Sequence, residues 1–145
     1  MSLTFALAAA TVVPGPATSF LVDEGHSHDW TTVIGGMTFY DRAYLGSVRA
    51  ETRSFPLVLM RNLEGPEEER RIASDIKVAI DCAESAIALV EIWVTPKDQS
   101  SNGFAVGREG TGPLNFRKVY PQNEERVAPV FRHACGKGWS MEANK

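Results

Sequence analysis

The stretch GPEEERRIASDIKVAIDCAESAIALV, residues 65–90, decides the fold that the sequence predicts. Proline suits the first position of a helix, because its missing N–H would have no partner there. The three glutamates that follow interact favourably with the dipole of a first helical turn. Apolar residues then recur every three or four positions: Ile72, Ile76, Ile80, Ala83, Ile87 and Val90. This spacing keeps them on one face and predicts a long amphipathic helix from about Pro66 to about Ala88.

A second flank of this predicted helix carries small or apolar side chains, which would let another backbone come close. Its members are Ala79, Cys82, Ala86 and Leu89. Two interpretations stay open. Either the flank packs on the protein's own sheet, or these four residues bind a second subunit.

The residues before the helix read as strands, because apolar and polar positions alternate or form short apolar runs. Met1 to Val13 is an apolar stretch that predicts a strand, and Pro14 and Pro16 end it. Ser47 to Ser54 alternates most clearly, as in a half-buried strand. Leu57 to Met60 is apolar throughout, which is typical of a strand covered on both faces.

After the helix, the sequence predicts short strands and then an irregular tail from Pro121 onward. Trp139 is expected to be buried, since a large aromatic side chain near a terminus usually packs. The predicted fold class is α+β: a mostly antiparallel sheet packed against one long amphipathic helix, about 66–88. Further short strands and the tail complete a single domain over residues 1–145.

Composition and charge exclude several classes of protein. The chain has 145 residues, of which 43% are hydrophobic and 23% charged, with a net charge of −3. These values fit a globular protein and give no bulk attraction to nucleic acid or anionic lipid. Nucleic acid is therefore not an expected partner. The apolar N-terminus is too short to span a membrane, and no lysine or arginine precedes Arg42. No signal peptide and a cytoplasmic or intracellular location are predicted.

The chain has two cysteines, Cys82 and Cys135. Two are too few for a disulfide scaffold, and free thiols in a reducing compartment are the default expectation. Their spacing leaves one bridge open. Cys135 lies in no known nucleophile motif and no G-x-S-x-G occurs, so no catalytic residue is predicted.

The loop around two histidines is the densest cluster of side chains that can bind a metal. His26 and His28 would point to one side of an extended segment, as metal ligands often do. With Glu24 and Asp29 they form the candidate metal site, and a divalent metal is the only cofactor that the sequence suggests. No H-E-x-x-H motif is present. A solvated polar loop is the main interpretation of this segment, and metal-free acid–base chemistry is a third one.

The glycine-rich segment from Gly103 to Gly112 matches neither a Walker loop nor a dinucleotide fingerprint. A hairpin or loop is the main interpretation. The alternative is an anion-binding loop that uses Arg108 and Lys118.

Three functions remain as hypotheses. The first is a non-catalytic interaction or assembly subunit that forms homo-oligomers, for which a small viral or phage structural protein is one concrete form. The second is a small metal-dependent enzyme or metal-binding protein that uses His26 and His28. The third is a small-ligand-binding module with its pocket between the helix and the sheet.

Overall fold

The computed structural model describes residues 21–22, 25–33, 35–95, 103–108 and 110–142. The predicted strand at Met1 to Val13 lies outside these residues. The elements are β1 (Trp30–Thr32), β2 (Thr38–Asp41), β3 (Gly46–Ala50), β4 (Arg53–Glu64), β5 (Arg71–Asp81), β6 (Ala86–Val94), β7 (Phe104–Gly107), β8 (Arg117–Lys118) and the helix α1 (Glu124–Cys135). Short 3₁₀ turns occupy Glu67–Glu69 and Pro121–Asn123.

The eight strands formed by the described residues belong to one sheet, in which each of their pairings is antiparallel. The main order is β1-β2-β4-β5-β6-β7. β3 pairs with the first part of β4, and β8 pairs with the first part of β6. The long strands β4, β5 and β6 therefore form the centre, and β7 lies at one edge.

The predicted helix over 66–88 is wrong, because this segment forms β5, a tight turn and the start of β6. An apolar spacing of four is even, and so Ile76 and Ile80 share a strand face as readily as a helix face. Val78 lies between them on that face, and the β-branched side chains favour a strand. Only the acidic residues after Pro66 turn helically, as one 3₁₀ turn.

The C-terminal tail is not irregular as predicted, because it contains α1. Pro129 lies inside this helix, where it removes one hydrogen bond of the backbone. The helix persists because Ala128, Val130 and Phe131 are buried against the sheet. Among the described residues α1 is the only α-helix, and none of their helices is long and apolar enough to cross a bilayer.

The two faces of the sheet carry different layers of the core. We call the face under α1 the helix face, and its buried members include Tyr40, Val58, Val78 and Ile80. The opposite face is covered by loops and buries Phe39, Leu59, Leu63, Ala79 and Trp93. Trp139 packs on Phe131 with ring centroids 4.5 Å apart, so its predicted burial is confirmed.

The free-thiol prediction is wrong, because Cys82 and Cys135 form a disulfide across 53 positions of sequence. Cys82 lies in the turn between β5 and β6, and Cys135 is the last residue of α1. The bond therefore fastens the end of the helix to the end of the central hairpin.

Candidate functional site

The histidine loop is held to the sheet by one buried carboxylate. His28 donates from Nδ1 to Asp41 Oδ2 over 2.6 Å. The other oxygen of Asp41 accepts the backbone N–H groups of Asp29, at 2.8 Å, and of Ala43, at 2.9 Å. Asp41 is almost fully buried. Its carboxylate is thus used to fix the loop and the orientation of the His28 ring.

The predicted metal ligands do not converge within the described part of the chain. His26 and Asp29 are exposed there, and Glu24 lies outside it. No three His, Cys, Asp or Glu side chains among the described residues are arranged to hold a metal ion. A metal at this loop therefore remains a prediction from sequence alone.

A row of stacked groups continues from His28 into the core. The His28 and Trp30 rings lie 5.6 Å apart, and the Arg61 guanidinium lies 4.6 Å from the Trp30 ring centre. Arg61 also forms a bidentate ion pair with Asp75, with hydrogen bonds of 2.7 and 2.9 Å. Both members of this ion pair are buried on the opposite face, where they satisfy each other's charge. The row fastens β1 across the sheet.

A pocket of about 370 Å³, lined by both apolar and polar side chains, lies beside this row. Tyr44 and Lys77 line it together with His28 and Asp41. The Lys77 ammonium lies 5.5 Å from the centre of the Tyr44 ring, within the range of a cation–π contact. The pocket thus contains groups of both charge signs that already interact with the protein.

The predicted anion site is not assembled. Arg108 donates hydrogen bonds to the carbonyl oxygens of Gly112 and Arg49. Its guanidinium therefore links its own loop to the end of β3. Lys118 lies 3.3 Å from a carboxylate oxygen of Glu84. Arg108 directly follows β7, whereas Lys118 lies in β8, which pairs with another part of β6. Each cation has a partner inside the molecule.

The four predicted partner-binding residues separate into three environments. Ala79 and Ala86 are buried within strands of the sheet. Cys82 belongs to the disulfide. Leu89 alone is open to solvent, with 54% of its surface exposed.

Leu89 belongs to an apolar surface that the sequence analysis did not identify. Phe104 and Val106 in β7 are each 56% exposed. The register pairs Val106 with Ile92 and Phe104 with Val94. Since strand faces alternate, these residues and Leu89 lie on the helix face, beyond the part that α1 covers. We call Leu89, Phe104 and Val106 the outer patch.

The signal for this surface was present as the sequence Phe-Ala-Val-Gly, which alternates large and small apolar side chains. Such a pattern predicts a short strand. Whether that strand lies at an edge depends on the topology.

A second pocket, of about 320 Å³, lies between α1 and the sheet. Six apolar side chains line it: Val33, Met60, Ile87, Val127, Val130 and Phe131. Thr38 and Arg126 are its polar members. We call it the helix–sheet pocket.

Comparisons with models of known protein families, with curated proteins and with solved structures found no match. The functional argument therefore rests on the surfaces and pockets described above.

Proposed function

We propose that this chain is a non-catalytic subunit that associates with copies of itself through β7 and the outer patch. The observation that carries the proposal is the exposure of β7 at the edge of the sheet. Every one of its four residues is exposed, and two of them are large and apolar. Exposed apolar strand edges tend to pair with another chain.

The edge lacks most of the devices that keep monomeric sheets apart. β7 contains no charged residue and no proline, both of which commonly protect an edge strand. Its shortness is its one protective feature. The strand therefore suits a specific contact between two short segments.

The backbone groups on the outer side of β7 can be identified from its pairing with β6. The N–H of Arg108 donates to the carbonyl of Val90 over 3.3 Å. Antiparallel strands alternate between residues that face the partner strand and residues that face away from it. The N–H and C=O groups of Ala105 and Gly107 therefore point outward from the sheet.

These outward groups define one register for a two-fold contact. If β7 pairs antiparallel with β7 of a second copy, Ala105 meets Gly107 of that copy, and the reverse pair forms by symmetry. Val106 then lies directly opposite its own counterpart. Because the strand has no charge, this pairing places no like charges together, and it joins the two outer patches on one face.

The outer patch is large enough to contribute to such a contact. Its three side chains together expose roughly 300 Å². A patch of this size is at the lower end of the largest apolar patches seen on ordinary monomers. A standard interface buries about 800 Å² per partner, so the patch would form its apolar centre.

A small viral or phage structural protein is one concrete form of this proposal. The disulfide supports a working environment that is oxidising. This favours a protein that acts outside the reducing cytoplasm, whereas the sequence led us to expect an intracellular location.

The proposal is tested by size-exclusion chromatography with light scattering at micromolar concentrations. Wild type should elute as a dimer, because a two-fold contact through one strand closes after two copies. Ala105→Pro should be monomeric, because it removes an outward N–H that makes no bond to β6. Ala105→Ser keeps that donor and should associate normally. Val106→Arg should also be monomeric, since two arginines would face each other.

The matched control for charge is Ser47→Arg, which adds the same group at an exposed strand position in β3. This variant should associate like wild type. A wild-type protein that stays monomeric throughout the micromolar range contradicts the proposal. So does a Val106→Arg variant that associates as well as Ser47→Arg.

A further inference from the structure

We propose that the helix–sheet pocket binds a small amphiphile, which has an apolar chain or ring and one anionic head group. The site is independent of self-association. It lies between α1 and the sheet, and its apolar walls come from both layers.

The side chains that line the pocket indicate that the ligand has an apolar chain or ring. Val127, Val130 and Phe131 contribute from α1, and Met60 and Ile87 contribute from the sheet. Burying apolar surface against such walls is favourable in proportion to the area removed from water. Pockets for small molecules commonly have this composition, with few polar groups that fix orientation.

The polar members of the pocket set the charge of the head group. Thr38 already donates its hydroxyl hydrogen to the Asn62 side chain over 3.0 Å. Arg126 is exposed and takes part in no ion pair among the described residues. Its guanidinium can bind a carboxylate or sulfonate with two parallel hydrogen bonds.

Two acidic residues precede Arg126 in the first turn of α1, Glu124 and Glu125. Side chains one or two positions apart on a helix do not face each other. These carboxylates therefore leave the guanidinium available to the pocket.

The size of the pocket favours a small molecule. Its volume of about 320 Å³ corresponds to about ten water molecules at liquid density. A ligand of about ten non-hydrogen atoms would fill it, whereas a protein partner could insert only one side chain. Octanoate matches this size and charge, and 1-octanol is its neutral counterpart.

The test is isothermal titration calorimetry of the full chain with octanoate and, separately, with 1-octanol. Wild type should bind one octanoate per chain with a Kd below about 1 mM. Arg126→Gln should weaken octanoate binding about ten-fold, and 1-octanol should bind wild type about ten-fold more weakly than octanoate. Lys137→Gln removes an equal charge from an exposed position away from the pocket and should change neither affinity.

A second variant fills the space. Val127→Phe should abolish octanoate binding, and circular dichroism should show that the variant is folded. The proposal is overturned if wild type shows no saturable binding, if Arg126→Gln binds like wild type, or if 1-octanol binds as tightly as octanoate. It is also overturned if folded Val127→Phe binds octanoate unchanged.

One further outcome would show that a second copy of the chain, and not a small ligand, occupies the pocket. If octanoate dissociates the wild-type oligomer and fails to bind while the oligomer is intact, the pocket belongs to the subunit interface. Binding of octanoate to monomeric Ala105→Pro with the wild-type affinity is the result expected here. Octanoate binding and self-association can therefore fail independently.

Discussion

Replacing both cysteines by serine should destabilise the fold by about 4 kcal/mol. The disulfide closes a loop of 53 positions between Cys82 and Cys135. In the chain-entropy treatment, a cross-link over such a loop lowers the entropy of the unfolded chain by about 14 cal/mol/K, which is about 4 kcal/mol at 25 °C. A domain of this kind has a total free energy of unfolding of about 5–15 kcal/mol. The predicted loss is therefore a large part of the whole.

The loss should be greatest around α1, because the bond holds the last residue of the helix to the turn after β5. The packing of Ala128, Val130 and Phe131 remains without the bond, so α1 should still form. Because the helix loses its covalent link to the sheet, its hydrogen exchange should accelerate more than exchange in β4 and β5.

The assay is equilibrium unfolding in urea, followed by circular dichroism and tryptophan fluorescence. Oxidised wild type is compared with Cys82→Ser/Cys135→Ser and with wild type in reductant. Reduced wild type keeps both sulfur atoms, so agreement between it and the double variant isolates the cross-link from the substitutions. An unchanged slope with a lower midpoint would indicate a change in stability alone.

Two results would refute the reasoning. One is a double variant that unfolds within about 1 kcal/mol of oxidised wild type, since the typical effect is about 2–4 kcal/mol. The other is two titratable thiols per chain in protein purified without reductant.

Three further substitutions test individual contacts, each by urea unfolding. Arg61→Met leaves the Asp75 carboxylate buried without its partner, and the free energy of unfolding should fall by about 3–5 kcal/mol; an equal loss in an Arg61→Met/Asp75→Leu double variant would contradict this. Asp41→Ala leaves the His28 ring and two backbone amides without their acceptor and should cost about 1–3 kcal/mol; a neutral result would show that water replaces the carboxylate. Glu51 has a positive φ of 58° in the β3–β4 turn, so Glu51→Gly should stabilise by up to about 1 kcal/mol, and a clear loss would contradict that.

The sequence predicted the strands best where their pattern allows only one period. Leu57 to Met60 is a continuous apolar run, and β4 is buried from both sides there. Ser47 to Ala50 alternates as predicted, but a turn at Glu51 and Thr52 ends that strand, and Arg53 and Ser54 begin β4 as exposed residues. The positive φ at Glu51 permits this turn, and glutamate gives no sign of it in the sequence.

The long helix was predicted wrongly because the local sequence pattern is compatible with a helix and with a strand. Proline and three glutamates favour a helical start, and they do form one 3₁₀ turn. The next eleven residues pair with β4 on one side and β6 on the other. Helix propensity differs by only a few tenths of a kcal/mol per residue, and two neighbouring strands outweigh it. Their presence is a property of the topology.

The candidate sites were less accessible to sequence reasoning than the strands. His28 was chosen as a metal ligand, yet its Nδ1 atom binds Asp41, 13 positions away. Arg108 was chosen for anions, and its guanidinium binds backbone carbonyls of its own and a distant loop. Both choices had the right residue type, but their partners come together only through folding.

The exposed part of the helix face follows from the length of α1. With 12 residues, the helix is about 18 Å long and about 10 Å wide. The six strands of the main path span about 24 Å from first to last. A helix laid along the strands covers about two of them, and one laid across covers about four. Phe131 and Val130 pack with residues of β2, β4 and β5 and with Ile87 near the start of β6. Leu89, further along β6, and Phe104 and Val106 in β7 stay exposed on this face. A second molecule that pairs with β7 would cover these apolar residues. The proposed contact would therefore bury the surface that the short helix leaves exposed.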